Sequence, residues 1–177
     1  MSDLELAERA CNGDRGAFQQ LLERHYAMIH RVAMRFTLSA ADAEDIAQDV
    51  CLALVGKLRS FRGNSAFSTW LYTVVMNACR DFARKQKTAR TMQENYSVFR
   101  ALDDGDQADD TRRACWLHET LGALEENLRE TALLVVAEEL SHADAGKILN
   151  CAESTVSWRM HEVRKKLKAQ VDTFHDR

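Results

Sequence analysis

Along most of this chain apolar residues return at intervals of three and four, the spacing of one face of an α-helix. Leu4 to Cys11 predicts a short first helix, ended by Asn12, Gly13 and Asp14. Ala17 to Phe36 predicts a longer one, with Phe18, Leu21, Leu22, Met28, Ile29, Val32, Ala33 and Phe36 as its buried face. Ser39 to Asp42 breaks and caps it, and Asp42 to Leu58 repeats the pattern, with Ile46, Ala47, Val50, Cys51, Leu54 and Leu58 on one broad side. Phe61 to Asn64 predicts a turn that pivots on Gly63 and Asn64. After it Trp70, Leu71, Val74, Val75, Ala78 and Phe82 interleave with Asn77, Arg80, Asp81, Arg84 and Lys85 in a further helix.

The helical period is lost from about Thr91 to Thr111, where the chain turns acidic and polar, so Met92 to Asp110 reads as a flexible linker. A second helical domain begins near Arg113. Leu117, Leu121 and Leu124 form one face, and Leu128, Ala132, Leu133, Val135 and Val136 continue into a helix ending around Leu140. These helices are expected to supply a small core on which the last two helices rest. Ser141 with Asp144 has the form of a capping box opening a helix from about His142 to Leu149, which Asn150 ends in the left-handed conformation. A longer helix starts near Glu153, with Val156, Met160, Val163 and Leu167 on one face. Two helices so closely joined read as a helix-turn-helix. The fold class is therefore all-α: two small helical domains, 1–91 and 113–177, joined by an acidic linker over 92–112. A chain of 177 residues with no proline and seven glycines fits that reading.

Charge sharpens the picture. The net charge of −3 argues against bulk attraction to nucleic acid, but the charges are segregated. Arg80 to Arg90 holds five basic residues and one acidic, Glu94 to Asp110 six acidic and one basic, and Glu153 to Lys168 five basic and two acidic. Basic segments on either side of an acidic middle point to two contacts with a polyanion. Five scattered cysteines form no CxxC pair and read as reduced thiols at helical positions, a cytoplasmic pattern. The apolar run Ala132 to Ala137 is too short to span a bilayer, and no signal-peptide pattern opens the chain. The expectation is a cytoplasmic protein with no membrane segment of its own.

Enzyme chemistry finds no foothold. The glycines form no phosphate-cradling loop, the six histidines lie in no HExxH or paired-cysteine context, and Asp45 and Asp49 have no partner groups for acid–base work. No catalytic residue, metal site or cofactor is expected. Three surfaces remain. On the helix after Asp42 a narrow stripe opposite the core holds Asp45, Gln48, Asp49 and Leu52, an apolar anchor among polar groups of the kind small interfaces use; the alternative is a solvated face. In the segment after Phe61, Arg62, Asn64, Ser65, Phe67 and Trp70 precede a helix carrying Asn77, Arg80, Arg84 and Lys85. Aromatic walls beside hydrogen-bonding groups and cations suit an unstacked base and a single strand, although most of the aromatics can equally be core. The last helix presents Ser154, Thr155, Ser157, Trp158, Arg159, His161, Glu162, Arg164 and Lys165, types that contact bases and phosphates when a helix enters a major groove. Its alternative is a packing hairpin with a solvated basic tail.

The ordered series of motifs resembles the extracytoplasmic-function (group IV) sigma factors of bacterial RNA polymerase over nearly the whole chain. Asp42 to Val50 is similar to the family's AEDLxQEVF helix, Phe61 to Leu71 to its FxxxxxFxTWL segment, and Asn77 to Arg84 to its NxxxDxxR helix. Leu140 to Leu149 resembles LSxxEIAxxLG, and Ser154 to His161 resembles GTVxSRxxRAR. The resemblance implies that Asp45, Gln48, Asp49 and Leu52 dock on core polymerase. It implies that the Arg62 to Phe67 loop and the helix through Lys85 read and help melt the minus-ten element. The last helix would read the minus-thirty-five element in duplex DNA, with the linker along the RNA exit path. An anti-sigma factor and a stress or envelope-response role are implied in the same way. Four positions depart from the family pattern: Glu125 where proline is usual, Asn150 for glycine, Trp158 for serine and Glu162 for arginine. The last two lie on the reading face, so promoter sequence does not transfer from relatives. Two other readings stay open on the residues alone: a stand-alone helix-turn-helix repressor, and an interaction module whose basic helices are merely solvated.

Overall fold

Four of the helices start where a short polar side chain satisfies a free amide. The computed structural model describes residues 1–93, 122 and 124–175, and no strand occurs among them. Helix α1 (Asp3–Cys11) is capped by Ser2, whose Oγ accepts from the Glu5 amide at 3.3 Å while the Ser2 amide donates to Glu5 Oε2 at 2.7 Å. Asp14 caps α2 (Arg15–Thr37) and Ser39 caps α3 (Ala40–Lys57), which runs into a short 3₁₀ turn, Leu58–Ser60. Helix α4 (Phe67–Gln93) continues two residues into the span expected to be linker, and the rest of that expectation lies outside the described residues. The four helices close on Leu6, Ile29, Ile46, Leu71 and Met76, all fully buried. Each such side chain stabilises the fold by roughly 1.5–3 kcal/mol.

The second half departs from the expected pattern first at the end of its leading helix. Helix α5 (Glu126–Ala132) passes directly into a wide π turn, Leu133–Ala137, and helical structure stops there, three residues before Leu140. The Glu138 amide donates to the Leu133 carbonyl at 3.0 Å, and Glu139 takes a left-handed φ of 55°. This wider winding rotates the chain, so Val136, expected on the buried face, is 62% exposed. Ser141 then caps α6 (His142–Leu149), accepting from the Asp144 amide at 3.1 Å. The reciprocal half of the box is not made: the Asp144 carboxylate accepts from the Ser141 hydroxyl at 2.8 Å and from Lys147 at 3.0 Å. Asn150, at φ 53°, ends α6 as expected, and α7 (Glu153–His175) comes next.

The expected separate core of the second half is only partly realised. Leu124, Leu128, Ala132 and Val163 form a small cluster backed by Leu167. Leu133, Leu134, Ala145, Ile148 and Val156 instead join the core that contains Leu71, Val75 and Ile29. Packing of α6 on α4 brings these side chains into that core.

Candidate functional site

On α3 the core face consumes Ala43, Ile46, Ala47, Val50 and Leu54, which leaves Asp45, Gln48, Asp49 and Leu52 together on the solvent side. Leu52 is 74% exposed, and Val55, one turn further on and not anticipated from the sequence, is 66% exposed. Gln48 is steadied by donating to Glu44 at 3.1 Å, and Glu44 accepts from the Tyr26 hydroxyl at 3.2 Å. Asp45 and Asp49 have no ion pair among the described residues. The stripe is thus a two-residue apolar ridge edged by uncompensated carboxylates. The signal for Val55 was its i+3 spacing from Leu52 on an otherwise polar face.

The loop after Phe61 has Gly63 at φ +71°, with Leu4 packed so closely that an added Cβ would lie 3.3 Å from its Cδ1. Arg62 and Asn64 are exposed and Ser65 is half-buried. Phe67 is not presented to solvent: it is 6% exposed, edge-on to Phe61 at 5.2 Å, with Trp70 at 5.4 Å and His25 at 5.0 Å between ring centres. The base wall expected at Phe67 therefore lies in the core, because an aromatic at the first position of α4 faces inward across the turn. Trp70 is half-buried against the same cluster and keeps part of its ring accessible. Along α4, Asn77, Arg84 and Lys85 are exposed, with Arg84 ion-paired to Asp81. Arg80 differs. Its Nε and Nη2 donate to the two carboxylate oxygens of Glu130 on α5, both at 2.7 Å, and Nη1 donates to Asn77 at 3.1 Å.

In the helix-turn-helix, Val156, Met160 and Val163 are buried, so Ser154, Ser157, Trp158, His161, Arg164 and Lys165 are exposed on the other side of α7. Trp158 is 59% exposed. Thr155, Arg159 and Glu162 are half-buried, and Arg159 leans on the Cys151 Sγ at 3.9 Å. His142 Nδ1 lies 2.9 Å from the Ser157 hydroxyl, which itself donates to the Glu153 carbonyl at 3.1 Å, so the first helix steadies one exposed side chain of the second. The turn is tight because Gly146 lets the Cys151 carbonyl approach to where a Cβ would sit at 2.8 Å. Glu125, at the position where the family usually has proline, receives Lys166 at 3.2 Å and ties α5 to α7.

Sequence reasoning missed a fourth group entirely. Glu138, its side chain 1% exposed, accepts from Arg31 at 2.8 Å, Arg35 at 2.5 Å and the Tyr72 hydroxyl at 2.8 Å; Arg35 also donates to the Ala137 carbonyl. Burial pushes the Glu138 carboxyl up, and the hydrogen bonds from Arg31 and Tyr72 outweigh it and hold the group below its ordinary range. Tyr72, desolvated and facing that carboxylate, is pushed up to about 12. No local pattern marks such a site, since its members lie 66 to 107 residues apart. Cys79 is buried, which pushes its thiol up to about 12 and leaves it unreactive at neutral pH. No cluster able to hold a metal ion occurs among the described residues, and no helix there is long and apolar enough to cross a membrane.

These surfaces fall within recognised sequence families. Residues 21–89 match Sigma-70 region 2 and residues 116–167 match Sigma-70, region 4. The ECF RNA polymerase sigma factor SigM of Mycobacterium tuberculosis is 33% identical over 168 residues, covering 94% of this chain and 83% of that protein. Among solved structures, CnrH in complex with the cytosolic domain of CnrY is 28% identical and superposes with a TM-score of 0.73 over 98% of this chain and 99% of that one. The sigma factor RpoE of Bartonella quintana, solved with the anti-sigma factor NepR, shares the fold at 23% identity, with a TM-score of 0.63 over 88% and 96% of the two chains. With matching families in both halves and full-length relatives of one kind, the chain belongs to the extracytoplasmic-function sigma factors.

Proposed function

We propose that this sigma factor binds core RNA polymerase reversibly and directs it to a particular set of promoters, with strand opening at the minus-ten element. The observation that carries the reading is the face left on each helix once its core is packed: the Leu52 and Val55 ridge with Asp45, Gln48 and Asp49 on α3, and the Trp158 face on α7. In this reading the α3 ridge docks on polymerase. Arg62, Asn64, Ser65 and Trp70 handle the unpaired minus-ten strand, with Phe67 as the support behind them, and Asn77, Arg80, Arg84 and Lys85 track its backbone. Base capture costs a few kcal/mol of unstacking, which polymerase and strand contacts offset. Ser154, Thr155, Ser157, Trp158, Arg159, His161, Glu162, Arg164 and Lys165 meet the minus-thirty-five duplex. Glu162 can accept from a cytosine amino group, and bulky Trp158 gives this chain its own sequence preference.

The working units are 1–91 and 113–177, tethered by 92–112, so that one contact raises the local concentration of the other. The protein makes and breaks no bond, acts in the cytoplasm where polymerase is, and is held in check by an anti-sigma factor in a stress or envelope response. The capture of CnrH by the cytosolic domain of CnrY supports a protein antagonist of that kind. The test is runoff transcription with purified core polymerase on a library of promoter fragments. Transcripts from a defined subset are expected, and Arg159→Ala with Arg164→Ala is expected to abolish them while polymerase binding persists. No promoter-selective transcription would overturn the reading. Tight sequence-specific duplex binding without polymerase would make the chain a repressor, and transcription indifferent to the double substitution would remove α7 as the reader.

A further inference from the structure

Helix α1 has no part in the functional reading so far, and it lies ahead of the region 2 match, which begins at residue 21. It nevertheless meets the loop after Phe61 at three levels. At the base, α1 packs on the 3₁₀ turn Leu58–Ser60, with Leu6, Ala7 and Leu58 buried. At the back, the Asp3 carboxylate accepts from Arg24 Nη1 and lies against His25 Nε2, both at 2.9 Å. An ionised carboxylate only accepts, so Nε2 carries the proton. Held in this way, the His25 ring leans on Phe67, where the loop runs into α4, at 5.0 Å between ring centres. At the tip, Leu4 lies over Gly63, and a Cβ there would be 3.3 Å from Leu4 Cδ1 and 3.9 Å from Cδ2.

The tip needs that contact. Gly63 sits at φ +71°, and glycine is the residue with the most backbone freedom to lose. Among the described residues, no hydrogen bond or ion pair joins Arg62, Gly63 or Asn64 to another residue. The edge-on rings of Phe61 and Phe67 pin the two ends of the loop and leave its middle to Leu4. Leu4 is 44% exposed, so it adds little to the core. Its backbone is firmly placed, since it follows Asp3 and stands inside the capping box of Ser2 and Glu5. A half-wet leucine on so well fixed a helix is placed for the loop.

The inference rests on the strand contacts proposed for this loop. A receiving loop that holds its binding conformation only part of the time loses apparent affinity by that fraction. We propose that Leu4 is a positioning residue for base capture: it holds the Gly63 backbone so that Arg62, Asn64 and Ser65 meet an unstacked base in one arrangement, while the Asp3 and His25 pair keeps α1 in register with the Phe67 end of the loop. Leu4 itself touches no DNA in this assignment. Promoter opening then depends on a helix outside the motif series, and polymerase docking through α3 does not.

Strand binding by the holoenzyme tests this. The probe is the labelled single strand of a minus-ten element recovered by runoff transcription from the promoter library, together with strands in which each base in turn is replaced by an abasic site. Core polymerase carrying Leu4→Ser is expected to bind the intact strand roughly fivefold more weakly than wild type, the effect of a loop that is competent about a fifth of the time. On the strand lacking the captured base the two should bind alike. Melting temperature and affinity for core polymerase should be unchanged. Leu4→Met, which restores the apolar contact, is expected to bind like wild type, and Asp3→Asn to show the same base-dependent loss as Leu4→Ser. Should Leu4→Ser lose helicity by circular dichroism, Leu4→Ala carries the same comparison. Equal affinity of wild type and the folded variant for the intact strand overturns the assignment, as does an equal loss on every abasic strand, which marks a general defect of the fold. Asp3→Asn binding like wild type removes the Asp3 and His25 pair from it. Failure of the sigma reading shows earlier, as the lack of any promoter-selective transcript, so the two failures are told apart.

Discussion

Truncating Leu52 tests the proposed polymerase contact against a core residue on the same helix. Leu52 is 74% exposed in the free chain, so a partner that covers it removes about three quarters of the side chain from water. Complete burial of a leucine is worth roughly 1.5–3 kcal/mol, so the covered fraction contributes about 1–2 kcal/mol to docking. Leu52→Ala is therefore expected to weaken core-polymerase binding by roughly 5- to 30-fold and to leave the melting temperature unchanged. Leu54, two residues on and 3% exposed, provides the contrast: Leu54→Ala opens a cavity and is expected to lose roughly 2–5 kcal/mol of stability. Adding Asp49→Lys to Leu52→Ala should weaken binding further and most at low salt, because reversing a charge at an interface edge acts through long-range attraction. The assay is equilibrium competition for core polymerase against a labelled reference sigma factor, with thermal melting in parallel. Unchanged polymerase affinity in the double variant would refute the assignment of this surface.

The tight turn and the charged contact between the two halves each give a further expected outcome. Gly146→Ala places a Cβ 2.8 Å from the Cys151 carbonyl oxygen, and the clash of roughly 1–3 kcal/mol exceeds the helix-propensity gain of about 1 kcal/mol. Thermal melting should fall by a few degrees and promoter-directed transcription should drop with it, whereas an unchanged or raised melting temperature would mean the turn has slack. Acid is expected to loosen the contact between the two halves at Glu138, which Arg31, Arg35 and Tyr72 hold. Its carboxyl is held below the ordinary value of 4.5 in the folded chain, so its contribution is complete at neutral pH and is lost as pH falls through the lowered value. Small-angle scattering between pH 8 and 5 should therefore be flat, with expansion beginning only below about pH 4.5; a midpoint near 6 would point to a histidine instead.

The helices themselves were legible because each carries its own period and several carry their own cap. Ser39, Ser141 and Asn150 begin or end helices where a local reading places them, since capping is decided within a few residues, whereas Asp14, read as part of the end of α1, caps α2. The Asp45 to Leu52 stripe and the Val156, Met160, Val163 face could be read for the same reason: a helix that must bury one side declares the other. Aromatic residues near the loop were ambiguous, because core and base-stacking positions draw on the same side chains, and Phe67 proved to be core while Trp70 stays at its edge.

An all-α chain of two motif-bearing halves, the exposed stripe on α3 and the exposed Trp158 face of α7 thus follow from short-range periodicity in the sequence. How the halves share a core, and which charges pair between them, was settled by long-range packing. Glu130 and Glu138 look like any surface glutamates in the linear chain. Their roles come from a π turn that redirects the backbone and from arginines fifty to more than a hundred residues away, and burial of a charge depends on what packs over it.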